Sequence, residues 1–194
     1  MRLRYSLLAI LILTLASRSL PAQIDVLAER QKAALDAFSG SLLGLDSVLR
    51  KEGVKNFSVE RALFSQSRAL TIAHAPALEQ GLTVRSLRSG AHVVGVFVNT
   101  GPLHDSVTGE VLPPGAYVVR LRATSGGRYV FEFLNSTGSI VLSTPATLKD
   151  RAGFEAAPTN KQVSQLRVVI FDVEWNDEIC VSFLWWRKCW PRNA

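Results

Sequence analysis

Asp172, Glu174, Asp177 and Glu178 place four carboxylates within seven residues. Acids this close could hold a divalent cation, or act as the proton donor and base of glycoside hydrolysis. His92, His104 and Asp105 form a second group, which could bind a metal or move protons near neutral pH. Both groups have a plain structural reading as well. The four acids suit the solvated end of a hairpin with Arg187, Lys188 and Arg192 close by, and His92 suits a hydrogen-bonded position in an alternating strand. The chain contains no G-x-S-x-G, H-E-x-x-H, phosphate-loop or G-x-G-x-x-G pattern, so no residue is assigned as nucleophile and no cofactor or metal is expected.

Cys180 and Cys189 are the only cysteines. In an oxidising compartment their first expected state is a disulfide. Nine residues of extended strand would span about 30 Å, whereas bridged Cα atoms lie roughly 4.4 to 6.8 Å apart, so the chain is expected to reverse after Trp186. The same region carries Trp185, Trp186, Arg187, Lys188 and Trp190, an acid-free mixture of indoles and cations. Side chains of this kind stack on sugars, sit at a lipid headgroup layer or anchor a protein partner. They are the candidate binding residues, set against the alternative that Trp185 and Trp186 merely end a core strand.

Residues 24–50 are rich in good helix formers, and Leu27, Ala34, Phe38, Leu42, Leu45 and Val48 or Leu49 recur at helical steps. A helix is expected there, with Gly53 as its stop. A second is expected from Ser58 to the residues before Pro76. From Leu82 the period becomes two. Strands are expected over 82–87, 91–100, 117–124, 128–135, 139–143, 166–175 and 179–186, the last two joined by an Asn176-Asp177 turn. Within 117–124, Tyr117, Val119, Leu121 and Ala123 share one face and Val118, Arg120, Arg122 and Thr124 the other. Glu132 on the next strand is then placed to meet Arg120 or Arg122, a cross-strand pair worth a few tenths of a kcal/mol. The expected fold is α+β: N-terminal helices packed on an antiparallel seven-stranded β-sandwich or partly open barrel. The run Leu112-Pro113-Pro114-Gly115-Ala116-Tyr117-Val118-Val119 resembles the strand entry of transthyretin-like and carboxypeptidase-regulatory-like sandwiches. The resemblance covers this run alone, lacks the opening glycine-valine-aspartate strand of those domains, and implies fold class but no activity.

The chain has 194 residues, 22 Lys+Arg against 16 Asp+Glu and a net charge of +6. Arg2, Arg4 and Arg18 lie in residues 1–22, Arg187, Lys188 and Arg192 in the last ten, and neither stretch holds an acid. The body between them is formally balanced, so the net charge gives no case for a nucleic-acid partner. Residues 1–22 run from basic positions through the apolar Leu7 to Leu15 to small residues ending at Ala22, the layout of a secretory signal peptide cleaved after Ala22 or Ser19. That apolar run falls short of the roughly 20 residues of a spanning helix, so no transmembrane segment is expected once it is removed.

The expected organisation is a signal peptide at 1–22, a helical region at 23–80 and an antiparallel β domain at 81–194. The expected function is that of an exported, periplasmic or secreted, non-catalytic binding or structural protein. It would touch a protein or cell-envelope component through its Trp-rich basic C-terminal region, with homo-oligomerisation through the N-terminal helices as a further expectation. The alternative is a periplasmic or secreted hydrolase or metal-dependent enzyme using the acidic hairpin or the His92, His104, Asp105 set.

Overall fold

The computed structural model describes residues 40, 43–54, 62–64, 70–73, 82–99, 101–162 and 178–191, all within one compact unit, Phe38–Ala194. The expected signal segment, the strand at 166–175 and the Asn176-Asp177 turn lie outside the described residues, as do Asp172, Glu174 and Asp177. The fold is mixed α+β, with antiparallel sheets and few helices. Among the described residues no helix is long and apolar enough to cross a membrane.

Helix α1 spans residues 43–51. Its Leu45, Val48 and Leu49, at steps of three and four, are buried, while Asp46 and Arg50 pair on the solvent side at 2.7 Å. Gly53, with φ +85°, lets the amide of Val54 return to Leu49 O at 2.9 Å and closes the last turn. The second expected helix is not formed. Residues 62–64 and 70–73 are instead strands β1 (Ala62–Phe64) and β2 (Leu70–Ala73), with Leu70 opposite Asn99 and Ala73 opposite Val96 of β3 (Ala91–Asn99). A free edge of β3 offers these backbones a ladder that no local periodicity encodes, and β-branched Thr71 and Ile72 suit it.

The expected strand at 82–87 is also replaced. Thr83 caps a short helix, α2 (Val84–Leu87): its Oγ1 accepts from the Ser86 amide, and the Ser86 hydroxyl accepts from the Thr83 amide. The α2 amides of Val84 and Arg85 donate to Lys161 O and Thr159 O, so this helix start is completed by chain more than seventy residues away.

The remaining elements are β4 (Leu103–His104), β5 (Val111–Leu112), β6 (Gly115–Ala123), β7 (Tyr129–Leu134), β8 (Ile140–Pro145), β9 (Thr147–Leu148), α3 (Arg151–Ala156), β10 (Glu178–Phe183) and β11 (Trp186–Pro191). The described strands fall into three antiparallel sheets. There is a six-stranded sheet in the order β1-β2-β3-β6-β7-β8, a three-stranded sheet β10-β11-β9 and the two-stranded β4-β5. β9 and α3 lie between the strands expected at 139–143 and 166–175, where no element was expected.

Two cores result. One contains Phe97, Tyr117, Val119, Leu121, Phe131 and Phe133 of the large sheet together with Val181, Phe183, Trp186 and Trp190 of the small one, closed by Val84, Leu87 and Phe154 from α2 and α3. The other holds Leu45, Val48 and Leu49 of α1 against Val93, Val96, Val118 and Leu134. A register shift between Val93 and Gly95 makes β3 serve both. One extra residue reverses the alternation, so Val93 and Val96 face the α1 side while Val94 and Phe97 face the aromatic core.

On the α1 side, Glu132 is 1% exposed and accepts from Arg120 Nε at 2.8 Å and from Arg122 Nε. Arg120 also reaches Glu52, just beyond α1, at 3.0 Å. Burial opposes the Arg120 charge, but Glu132 and Glu52 outweigh it and hold its pKa above the ordinary arginine value. The expected pair with Arg120 or Arg122 is therefore a four-residue cluster tying α1 to the sheet.

Candidate functional site

The chain turns at Leu184-Trp185, ahead of the reversal expected after Trp186, with Leu184 in the left-handed region at φ +50°. β10 and β11 then pair directly, with Phe183 opposite Trp186, Val181 opposite Lys188 and Cys180 opposite Cys189. Opposed residues share a face, so the two cysteines stand side by side with Cα atoms 4.0 Å apart and form the disulfide. Arg187, on the same face, places a guanidinium nitrogen 3.1 Å from Cys180 Sγ.

Period-two alternation divides the expected cationic, aromatic cluster. Trp186, Lys188 and Trp190 face the core, whereas Arg187 and Cys189 lie partly buried on the other face, opposite the buried Ser182 and Cys180. Trp186 is fully buried, Trp190 is 1% exposed and Trp185 is 8% exposed. Trp190 stacks on Phe97 and meets Phe133 edge-on, and Trp186 packs against Tyr129, Phe154 and Phe183. The three indoles expected at a contact surface are thus core side chains. Alternation through residues 186–190 was visible in the sequence, but the strand itself depends on the preceding turn, which carries neither Gly nor Asn at its left-handed position.

Lys188 is the unexpected residue of this set. Its Nζ donates to Asp105 Oδ1 at 2.7 Å across 83 positions of sequence, and it lies 5.7 Å from the centre of the Trp190 ring. Asp105 is 2% exposed and Lys188 6%. Asp105 follows β4 and opens the 105–110 loop. Its backbone amide donates to Glu110 O and its carbonyl accepts from Gly109, both at 2.8 Å, while its Oδ1 also accepts from the Val107 amide at 2.9 Å. Gly109 adopts φ +73°, which the loop closure requires. Burial pushes the Asp105 carboxyl up, but the hydrogen bonds from Lys188 Nζ and the Val107 amide hold it below the usual aspartate value. Among the described residues, Asp105 Oδ2 and Thr144 Oγ1 are buried without a formed hydrogen bond.

The other candidates do not join this pair. His92 Nε2 lies 2.7 Å from Ser86 O and 2.9 Å from Ser89 O, so the ring closes the end of α2. His104 is exposed on β4, opposite Val111. No hydrogen bond links His92, His104 and Asp105 into one set, and among the described residues no group of three or more His, Cys, Asp or Glu could hold a metal ion. Glu178 begins β10; its three acidic neighbours in sequence lie outside the described residues.

Comparison with known protein families, with curated proteins and with solved structures finds no match to this chain.

Proposed function

We propose that this chain is an exported, non-catalytic β-rich domain with a binding or structural role at the cell envelope, its two larger sheets forming a sandwich over the aromatic core. The observation that carries the reading is the engagement of its ionisable candidates. Asp105 is held by Lys188, Glu132 by Arg120 and Arg122, and His92 by two backbone carbonyls, so each serves the fold. The signal-like pattern of residues 1–22 and the disulfide between the only two cysteines are compatible with export.

With the indoles packed inward, contact with a protein or envelope component is assigned to the partly buried Arg187 on the other face of β11. Leu45, Val48 and Leu49 of α1 are occupied within the chain, so helix-mediated self-association would use other residues, among them the exposed Leu43. Fractionating a Gram-negative host that expresses the full chain tests the export half. The expected product is extracytoplasmic, starts at residue 20 or 23, and reacts with a thiol-alkylating reagent only after reduction. A cytoplasmic chain with free thiols overturns it. For the contact half, the Arg187→Gln variant is expected to be captured less from an envelope extract at low salt, and undiminished capture rejects that surface.

A further inference from the structure

Lys188 and Asp105 present an amine and a carboxyl in contact, both almost wholly removed from water, with Lys188 Nζ beside the Trp190 ring. A buried ion pair of this kind carries a large desolvation penalty, and one carboxylate oxygen, Oδ2, lacks a hydrogen-bond partner among the described residues. An amide would remove both charges and place a neutral carbonyl oxygen at that position. Water, the co-reactant of amide hydrolysis, is excluded from the site. Well-oriented intramolecular pairs reach effective molarities of about 10⁵ to 10⁸ M, enough to drive a condensation that free amine and acid do not undergo in water.

We propose that Asp105 and Lys188 condense to an intramolecular isopeptide bond. The 2.7 Å contact is the pair from which the bond forms. One Nζ proton passes along the hydrogen bond to Oδ1, giving a neutral amine beside a carboxylic acid. The Nζ lone pair attacks Cγ, and the carbonyl π electrons move onto Oδ2, the carboxylate oxygen that holds no hydrogen bond among the described residues. Oδ1 then takes a second Nζ proton and leaves as water while the Oδ2 electrons re-form the C=O bond. Nζ keeps one hydrogen, the ammonium and carboxylate have become an amide and one water, and no external reagent is consumed.

The bond would link the 105–110 loop to the last described strand, one residue from the disulfide at Cys189. Both covalent links would then sit on β11, one on each face.

Mass spectrometry of the full-length chain after reduction tests this. The expected mass is one water below that of the sequence for the observed N-terminus. Trypsin is expected to release a branched peptide joining residues 89–120 to 188–192, because Lys188 is no longer a cleavage site. Lys188→Arg, which keeps a cation but forms no such amide, is expected to restore the unmodified mass and lose the branched peptide. An unmodified parent chain cleaved after Lys188 overturns the proposal. So does a water loss that persists in Lys188→Arg. Should that variant fail to fold, the presence or absence of the branched peptide in the parent chain decides.

Discussion

Replacing Glu132 by Gln preserves the shape of a buried carboxylate and removes its charge. In the parent, Glu132 accepts from Arg120 Nε at 2.8 Å, contacts Arg120 Nη2 at 2.6 Å and accepts from Arg122 Nε. The Arg120 side chain is 18% exposed and the Arg122 side chain 41% exposed. Removing one partner of a buried pair costs about 3 to 5 kcal/mol, because the remaining charge stays in low dielectric. Two features reduce that figure here. Arg122 can turn to solvent, so its share is screened, and Arg120 retains Glu52 at 3.0 Å. The expected loss is about 3 kcal/mol, and at roughly 2 to 4 °C per kcal/mol for a chain of this size the melting temperature should fall by about 6 to 12 °C. Thermal melts followed by tryptophan fluorescence measure the shift. Urea titration should show a lower midpoint with an unchanged slope, as expected for lost stability without altered compactness. A melt within about 1 °C of the parent would refute the reasoning, since it would mean that the carboxylate is effectively hydrated where the structure buries it.

Three further outcomes are expected. Replacing both Cys180 and Cys189 by Ala opens a loop of about ten residues and should lower stability by roughly 2.5 to 3 kcal/mol on the loop-entropy account; equal denaturation midpoints for parent and variant would contradict it. Tyr117 donates to Pro113 O at 2.7 Å, and burial raises its pKa above the usual tyrosine value. A group whose folded pKa is raised contributes stability that is complete below its unfolded pKa and disappears as pH rises through the folded one, so stability should decline above about pH 10. Tyr117→Phe should flatten that decline in urea midpoints taken between neutral and alkaline pH, and an unchanged slope would speak against it. Arg151 and Glu155 pair at 2.8 Å with side chains 80% and 61% exposed, so Arg151→Ala should leave the melting temperature within replicate scatter; a clear drop would show that this pair is not merely solvated.

Much of the large sheet was legible from local pattern. Alternation through 117–124 separated Tyr117, Val119 and Leu121, which enter the aromatic core, from Arg120 and Arg122, which meet Glu132. Turn-forming Ser125-Gly126-Gly127 and Ser136-Thr137-Gly138 joined β6 to β7 and β7 to β8, with Gly126, Gly127 and Gly138 at positive φ. Residues 62–64 and 70–73 were misread because helix-forming composition is a weak preference that an open sheet edge overrides. The candidate site was read least well. Lys188 belonged to an apparent surface cluster and Asp105 to an apparent histidine set, and neither motif points to the other.

By itself, the sequence determined the period-two strands β3, β6, β7 and β8 of the large sheet, the helical stripe of α1 and the balance of charge in its body, and it made a disulfide the first expectation for its two cysteines. Those properties depend on neighbours a few positions away, where backbone periodicity and chain reach are decisive. Tertiary structure alone decided that β11 follows a left-handed Leu184, that Trp186 and Trp190 turn inward, and that Lys188 meets Asp105 across 83 positions. Burial and long-range pairing belong to the assembled core. A side chain at the end of a chain reads as solvated until the sheet that covers it is in place.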